Sequence, residues 1–272
     1  MAVIRINGTD IAYDDVGHGP PVLLIHGLGS NRASWRFQVP ALAEHYRVIR
    51  LDLRGHGDSG RPRDGFSVPA MSEDTAAFVR ALGLDAVHLV GLSLGGMIGF
   101  QLAVDHPSLV RSMVIVNSGP EVVAQSFRER RLLATRLVLT RLLGPARLAR
   151  LVARRLFPHP AQDDLRRELI ASVASVDRGS YYALTRAIFG WGVGDRLDQV
   201  RCPVLAVTGD RDYTPVERKE AYVRRLADAR LVVIPDSGHA TPIDRPGPFN
   251  ECLCDFLAAV TGVGAGMDRS AG

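Results

Sequence analysis

A chain of 272 residues, 46% of them hydrophobic, is long enough to bury a sizeable core, and α/β folds of this size are often one domain. No run of about 18 uncharged apolar residues occurs, which excludes a membrane-spanning helix, and the basic-then-apolar order of a secretory leader is missing from the first residues. The formal charge of +4 comes with no RNP stretch or zinc-finger spacing, so no nucleic-acid partner is expected; three cysteines make neither a disulfide framework nor a zinc set and suit a reducing cytoplasm.

In chain order, residues 2–7 and 11–16 read as two strands flanking Gly8-Thr9-Asp10, an antiparallel hairpin. The apolar run 22–25 reads as a buried strand and leads into His26-Gly27-Leu28-Gly29. A strand over 46–51 precedes the glycine-rich stretch Asp52-Leu53-Arg54-Gly55-His56-Gly57-Asp58-Ser59. Next, Val87-His88-Leu89-Val90 predicts a buried strand, and 96–104 an apolar helix ending before His106-Pro107. Between them lies Gly91-Leu92-Ser93-Leu94-Gly95. A G-x-S-x-G set between strand and helix is the context of a nucleophile elbow, so Ser93 is the candidate nucleophile. The strand over 113–116 ends in Asn117, whose neutral side chain cannot stabilise an imidazolium as a carboxylate does.

From 120 to 199 strand signals vanish and the pattern is helical. Nine arginines face only Glu121 and Glu129 between 121 and 160, interleaved with leucines, which predicts amphipathic helices with a basic face. Phe127, Phe157, Phe189 and Trp191 read as core packing ahead of pocket walls. Strand alternation resumes with 204–208, which runs into Gly209-Asp210-Arg211-Asp212. The last strand, 231–234, leads to Asp236-Ser237-Gly238-His239, and His239 is the only histidine beyond residue 200. The blocks 1–119 and 200–262 thus alternate strand and helix and predict a largely parallel sheet covered on both faces. The segment 263–272, rich in Gly, Ala and Ser, reads as a disordered tail.

A serine hydroxyl is a poor nucleophile at neutral pH and needs a base with an orienting acid behind it. His239 fits the base. Asp212 is favoured as the acid because G-x-x-D sets it past the strand tip, and Asp210 then serves as a turn residue. Charge developing on an attacked carbonyl oxygen needs pre-aimed donors. The backbone N–H of Leu94, next after the nucleophile, is one candidate. That of Leu28, on a glycine loop able to fold over the elbow, is the other. His26 reads as a strut of that loop.

These segments together resemble the α/β-hydrolase superfamily over residues 2–260. The resemblance implies a mostly parallel eight-stranded sheet flanked by helices, with a core of 1–119 and 200–262 and a helical cap over 120–199. It makes His56 and Asp58 scaffold. It also implies a carboxylic ester hydrolase acting on a small-molecule ester or lactone through an acyl-enzyme, with catalytic residues Ser93, Asp212 and His239, an oxyanion hole of Leu28 and Leu94, and no metal or cofactor. Dehalogenases and epoxide hydrolases of this fold carry aspartate at the elbow, so the serine disfavours both. The elbow and its continuation, Gly96-Met97-Ile98-Gly99, look like those of 3-oxoadipate enol-lactonases, and the basic cap suits an anionic lactone. Carbon–carbon bond hydrolases and cofactor-free haloperoxidases share the same signals. A receptor of this fold that binds a small ligand with slow turnover is the reading from another class. Nothing in the pattern specifies an oligomeric state.

Overall fold

Strands whose side chains are apolar on both faces must be covered on both faces. In the computed structural model, which describes residues 1–62, 64–124, 126–157 and 160–263, they form the centre of one sheet. Its first half comprises β1 (Ala2–Ile6), β2 (Thr9–Val16), β3 (Pro21–Ile25), the short α1 (Gln38–Leu42), β4 (Arg47–Leu51) and α2 (Val68–Ala81). Then come β5 (Val87–Leu92), α3 (Leu94–Asp105) and β6 (Val110–Val116). After an insertion of α4 (Phe127–Leu156), α5 (Asp163–Ser175) and α6 (Arg178–Ile188), the sheet resumes with β7 (Val204–Gly209), α7 (Val216–Val223), β8 (Ala229–Ile234), α8 (Thr241–Asp244) and α9 (Pro246–Thr261).

The order is β1-β2-β4-β3-β5-β6-β7-β8, eight strands, with β2 antiparallel to β1 and β4 and every other pairing parallel. This is the mostly parallel eight-stranded sheet expected. The period-2 alternation of strand side chains splits the core into two layers. Leu23, Ile25, Leu89, Met113 and Ile115 pack under α2 and α3. Val22, Leu24, Val90, Val114 and Leu205 face Leu42, Phe249, Leu253 and Leu257 on α1 and α9.

The insertion leaves and rejoins the sheet at one neck. There Val122 N–H donates to Trp191 O at 2.8 Å, Gly190 N–H to Val122 O at 3.0 Å and Val193 N–H to Pro120 O at 2.8 Å. α4 is broken at Gly144, whose φ of 72° lies where a Cβ is unfavourable, and Pro145 follows it. A small apolar cluster of Leu148, Ala149, Val173, Val176 and Tyr181 holds the three helices together and touches Leu28.

Two expectations need correction. Phe127 is 76% exposed, so it neither packs in a core nor lines a pocket. On the amphipathic α4, Leu132 and Leu142 are themselves exposed, so its surface is not purely basic. The three cysteines are free and half-buried. The expected tail lies outside the described residues from 264 onward. Among the described residues no helix is long and apolar enough to cross a membrane.

Candidate functional site

The site begins with a turn too tight for side chains. A Cβ on Gly91 would lie 2.4 Å from the Gly95 carbonyl, and one on Gly95 would lie 2.1 Å from the carbonyl oxygen of Ile25. Both clashes are with backbone, so glycine is required at each. Between them Ser93 holds φ 54° and ψ −110°, a conformation a non-glycine residue adopts only when its surroundings enforce it. They do so through Ser93 N–H, bonded to Val116 O at 2.9 Å, and Ser118 Oγ, which donates to Ser93 O at 2.6 Å. The hydroxyl thereby stands at the tip of β5, at the start of α3.

His239 reaches it from the loop after β8. Its Nε2 is 3.0 Å from Ser93 Oγ and its Nδ1 is 2.8 Å from Asp212 Oδ1. With Nδ1–H donated to the carboxylate, Nε2 carries the lone pair facing the serine. The loop is braced from below by Asn117, whose Nδ2 donates to Gly238 O at 2.6 Å and whose Oδ1 accepts from Thr241 Oγ1 at 3.0 Å. Gly238 N–H donates to Asp244 Oδ2 at 2.7 Å, and Asp244 also accepts from Gln162 in the insertion. Asp210 accepts from Ser237 N–H at 3.1 Å, which makes it a turn residue.

Asp212 has a second partner that the sequence reading missed. Its Oδ2 accepts from Lys219 Nζ and from Thr214 Oγ1, each at 2.7 Å, and Lys219 Nζ also donates to Thr214 O at 2.5 Å. Lys219 is 2% exposed. Burial opposes ionisation of Asp212, but the hydrogen bond and charge of His239 and the Lys219 ammonium outweigh it and hold the carboxyl well below the usual range. Burial pulls Lys219 down, partly offset by Asp212.

The loop after β3 covers the elbow, with Gly27 so close that a Cβ there would sit 3.3 Å from Ser93 Cβ. Two histidines fix its course. His26 Nδ1–H donates to Gly27 O at 2.8 Å while its Nε2 accepts from Leu53 N–H at 3.0 Å. His56 Nε2 accepts from Gly29 N–H at 3.1 Å, and its Nδ1–H donates to Arg54 O at 3.1 Å. Burial holds His26 at about 4 and His56 at about 3, so both struts are neutral. Asp58 pairs with Arg32 at 2.9 Å, away from the serine's hydrogen-bond chain. The N–H groups of Leu28 and Leu94 donate to no protein acceptor among the described residues. Leu94 follows Ser93 directly, and Leu28 follows Gly27, which lies against Ser93.

Tyr213, also missed, places its hydroxyl 2.9 Å from His239 Nε2 with its ring 4.2 Å from the imidazole. Among the described residues no group of three or more His, Cys, Asp or Glu side chains is arranged to hold a metal ion.

Comparison with known proteins adds context. A family model described as the alpha/beta hydrolase fold matches residues 20–246. The protein named carbamate hydrolase RutD from Variovorax paradoxus is 33% identical over 261 residues, covering 91% of this chain and 96% of that one. Its namesake from Caulobacter sp. strain K31 is 31% identical over 270 residues, with 92% and 96% covered. Among solved structures, the enol-lactonase from Burkholderia xenovorans LB400 superposes with a TM-score of 0.87 at 25% identity, over 94% of this chain and 100% of that one. A thermophilic esterase from Thermogutta terrifontis gives 0.86 at 26% identity, over 96% and 99%.

Proposed function

Because this chain belongs to the α/β-hydrolase family, we propose that it hydrolyses a small-molecule carboxylic ester or lactone, with Ser93 as nucleophile, His239 as base and Asp212 as its orienting acid. The observation that carries this reading is the hydrogen-bonded series Ser93 Oγ, His239 Nε2, His239 Nδ1, Asp212 Oδ1, at 3.0 and 2.8 Å. In the first half-reaction Oγ forms a bond to the carbonyl carbon as its proton passes to Nε2. The oxyanion is received by the N–H groups of Leu28 and Leu94. Collapse breaks the carbonyl–alkoxy bond, and the Nε2 proton goes to the leaving oxygen. Water then repeats the sequence on the acyl-enzyme, delivering its proton to Nε2 and releasing the carboxylic acid and Ser93. The residues 120–199 act as the cap over this site, and three free thiols suit work in the cytoplasm.

Two curated relatives above 30% identity are named as carbamate hydrolases, which favours a carbamate as the second reading. The same serine attacks a carbonyl flanked by nitrogen, and the leaving group distinguishes the two. The test is turnover of p-nitrophenyl esters from acetate to decanoate, and of an aryl carbamate, by the wild type and Ser93→Ala. Many cycles lost by about 10³-fold or more in the variant support the serine reading. Equal turnover by Ser93→Ala overturns it.

A further inference from the structure

The first half of α4 carries apolar side chains on two opposite sides. Glu129, Leu133, Leu137 and Thr140 recur at helical spacing and are the residues of this stretch that are shielded from water. They form the line that faces α5 and α6, against which α4 packs. The opposite line runs through Arg128, Arg131, Val138 and Leu142, with Leu132 and Leu139 beside it. Leu132 is 67% and Leu142 65% exposed, and Phe127, Val138 and Leu139 are exposed with them. A helix that is apolar on two sides calls for cover on both, and α5 and α6 cover one.

The charge on the outer side has one sign. Glu129 is the only acid of α4, lies on the inner line and is paired with Arg218. Arg128, Arg130 and Arg131 are exposed and enter no ion pair with the described residues. A second copy of this chain would bring the same face back to itself about a two-fold axis, setting unpaired arginines against one another with no acid between them. A nucleic acid supplies phosphates for the arginines but nothing for the row of leucines. An anionic lipid surface supplies both, with headgroup phosphates for the guanidinium groups and the acyl boundary for Phe127, Leu132, Val138 and Leu142. Arginine stems lie along apolar surface while their heads stay at phosphate level, so Arg and Leu share one face there without conflict.

We propose that the outer face of α4 is a docking surface for anionic lipid membranes, on which the protein lies peripherally by this helix. The leucines and Phe127 enter the boundary between headgroups and acyl chains, and Arg128, Arg130 and Arg131 hold the phosphates around them. The proposal does not depend on the reaction assigned to Ser93.

Vesicles with and without anionic lipid test it. Binding of the full chain to vesicles of phosphatidylcholine, and of phosphatidylcholine with about 30% phosphatidylglycerol, is measured by flotation at low and high salt. The proteins are wild type, Leu132→Gln with Leu142→Gln, Phe127→Gln alone, Arg128→Gln with Arg131→Gln, and Arg111→Gln with Arg230→Gln. Arg111 and Arg230 are exposed near the starts of β6 and β8, at the end of the sheet away from the insertion, and control for the loss of two charges. The expected result is that wild type binds the anionic vesicles about tenfold or more tighter than the neutral ones. The leucine pair loses about tenfold at unchanged charge, the Arg128 and Arg131 pair loses as much, and the control keeps most of its binding. Phe127→Gln, at the exposed start of the helix, weakens binding in the same direction and decides the matter should the leucine pair fail to fold. No preference for anionic vesicles, binding that survives loss of the apolar side chains, or equal loss in the control overturns the proposal. So does a dimer in light scattering that Leu132→Gln with Leu142→Gln dissociates, since the face then belongs to a second copy.

Discussion

After His239, Lys219 contributes most to holding the proposed acid ionised. Its ammonium is 2.7 Å from Asp212 Oδ2, with both side chains almost fully shielded from water. Replacing Lys219 with Met leaves the negative charge of Asp212 buried without its ammonium partner. Breaking such a buried pair costs about 3–5 kcal/mol, so thermal unfolding of Lys219→Met is expected to show a melting temperature several degrees below that of the wild type. An unchanged melting temperature would mean that the pair adds nothing to the stability of the fold. Ser93, Asp212 and His239 were legible because each follows a strand within a short motif. Lys219 had a weaker signal. In Val216-Glu217-Arg218-Lys219-Glu220 charges run together, but Lys219 shares a helix face with Tyr222 and Val223, so one charge had to point inward. Tyr213 meets His239 across two separate loops, a pairing that no local pattern encodes.

At the scale of elements, the elbow shows how the crossing of β3, β5 and α3 locates the site. A methyl at Gly95 would strike the carbonyl of Ile25 at 2.1 Å and push α3 off the end of β3. That shift also separates the two loops that carry the Leu28 and Leu94 N–H groups. Gly95→Ala is expected to lower kcat/KM by 10²-fold or more, on the order of one lost oxyanion donor, alongside a reduced melting temperature. Near-normal turnover would show that the elbow can relax. The helical nature of the insertion was legible from its pattern, but the break that Gly144-Pro145 imposes on α4 emerged only in the structure. Which faces it covers was not. In a layer of three helices the apolar stripes can meet each other, the sheet or solvent, and Leu132, Leu142 and Phe127 ended on the outside.

For the whole molecule, unbroken apolar strands separated by helical stretches made the two-layer core readable in advance, because burial on both sheet faces removes the alternation of an exposed sheet. Buried histidines were harder to value from sequence, yet they set the acid tolerance of the fold. His26 and His88 are held at about 4 and His56 at about 3, chiefly by burial, against 6.5 for an unperturbed imidazole. The unfolded chain therefore takes up these protons first. The stability they contribute is complete above about pH 6.5 and is lost as the pH falls toward about 4, at about 1.4 kcal/mol per pH unit for each group. Thermal unfolding followed from pH 7.5 to pH 4.5 should show a steady fall in melting temperature that begins below pH 6.5. A flat response across that window would contradict the assignment of these three as buried and neutral.

The paired backbone at the neck of the insertion has a consequence for how such a chain can diversify. Pro120, Val122, Gly190, Trp191 and Val193 close the entry and exit of the insertion onto each other, so the path from β6 to β7 is complete without anything in between. Helices α4 to α6 are thus tied to the sheet through one paired neck, but Gln162 also holds Asp244 behind the His239 loop, so a segment exchanged at those five residues must supply that amide again to leave the loop in place.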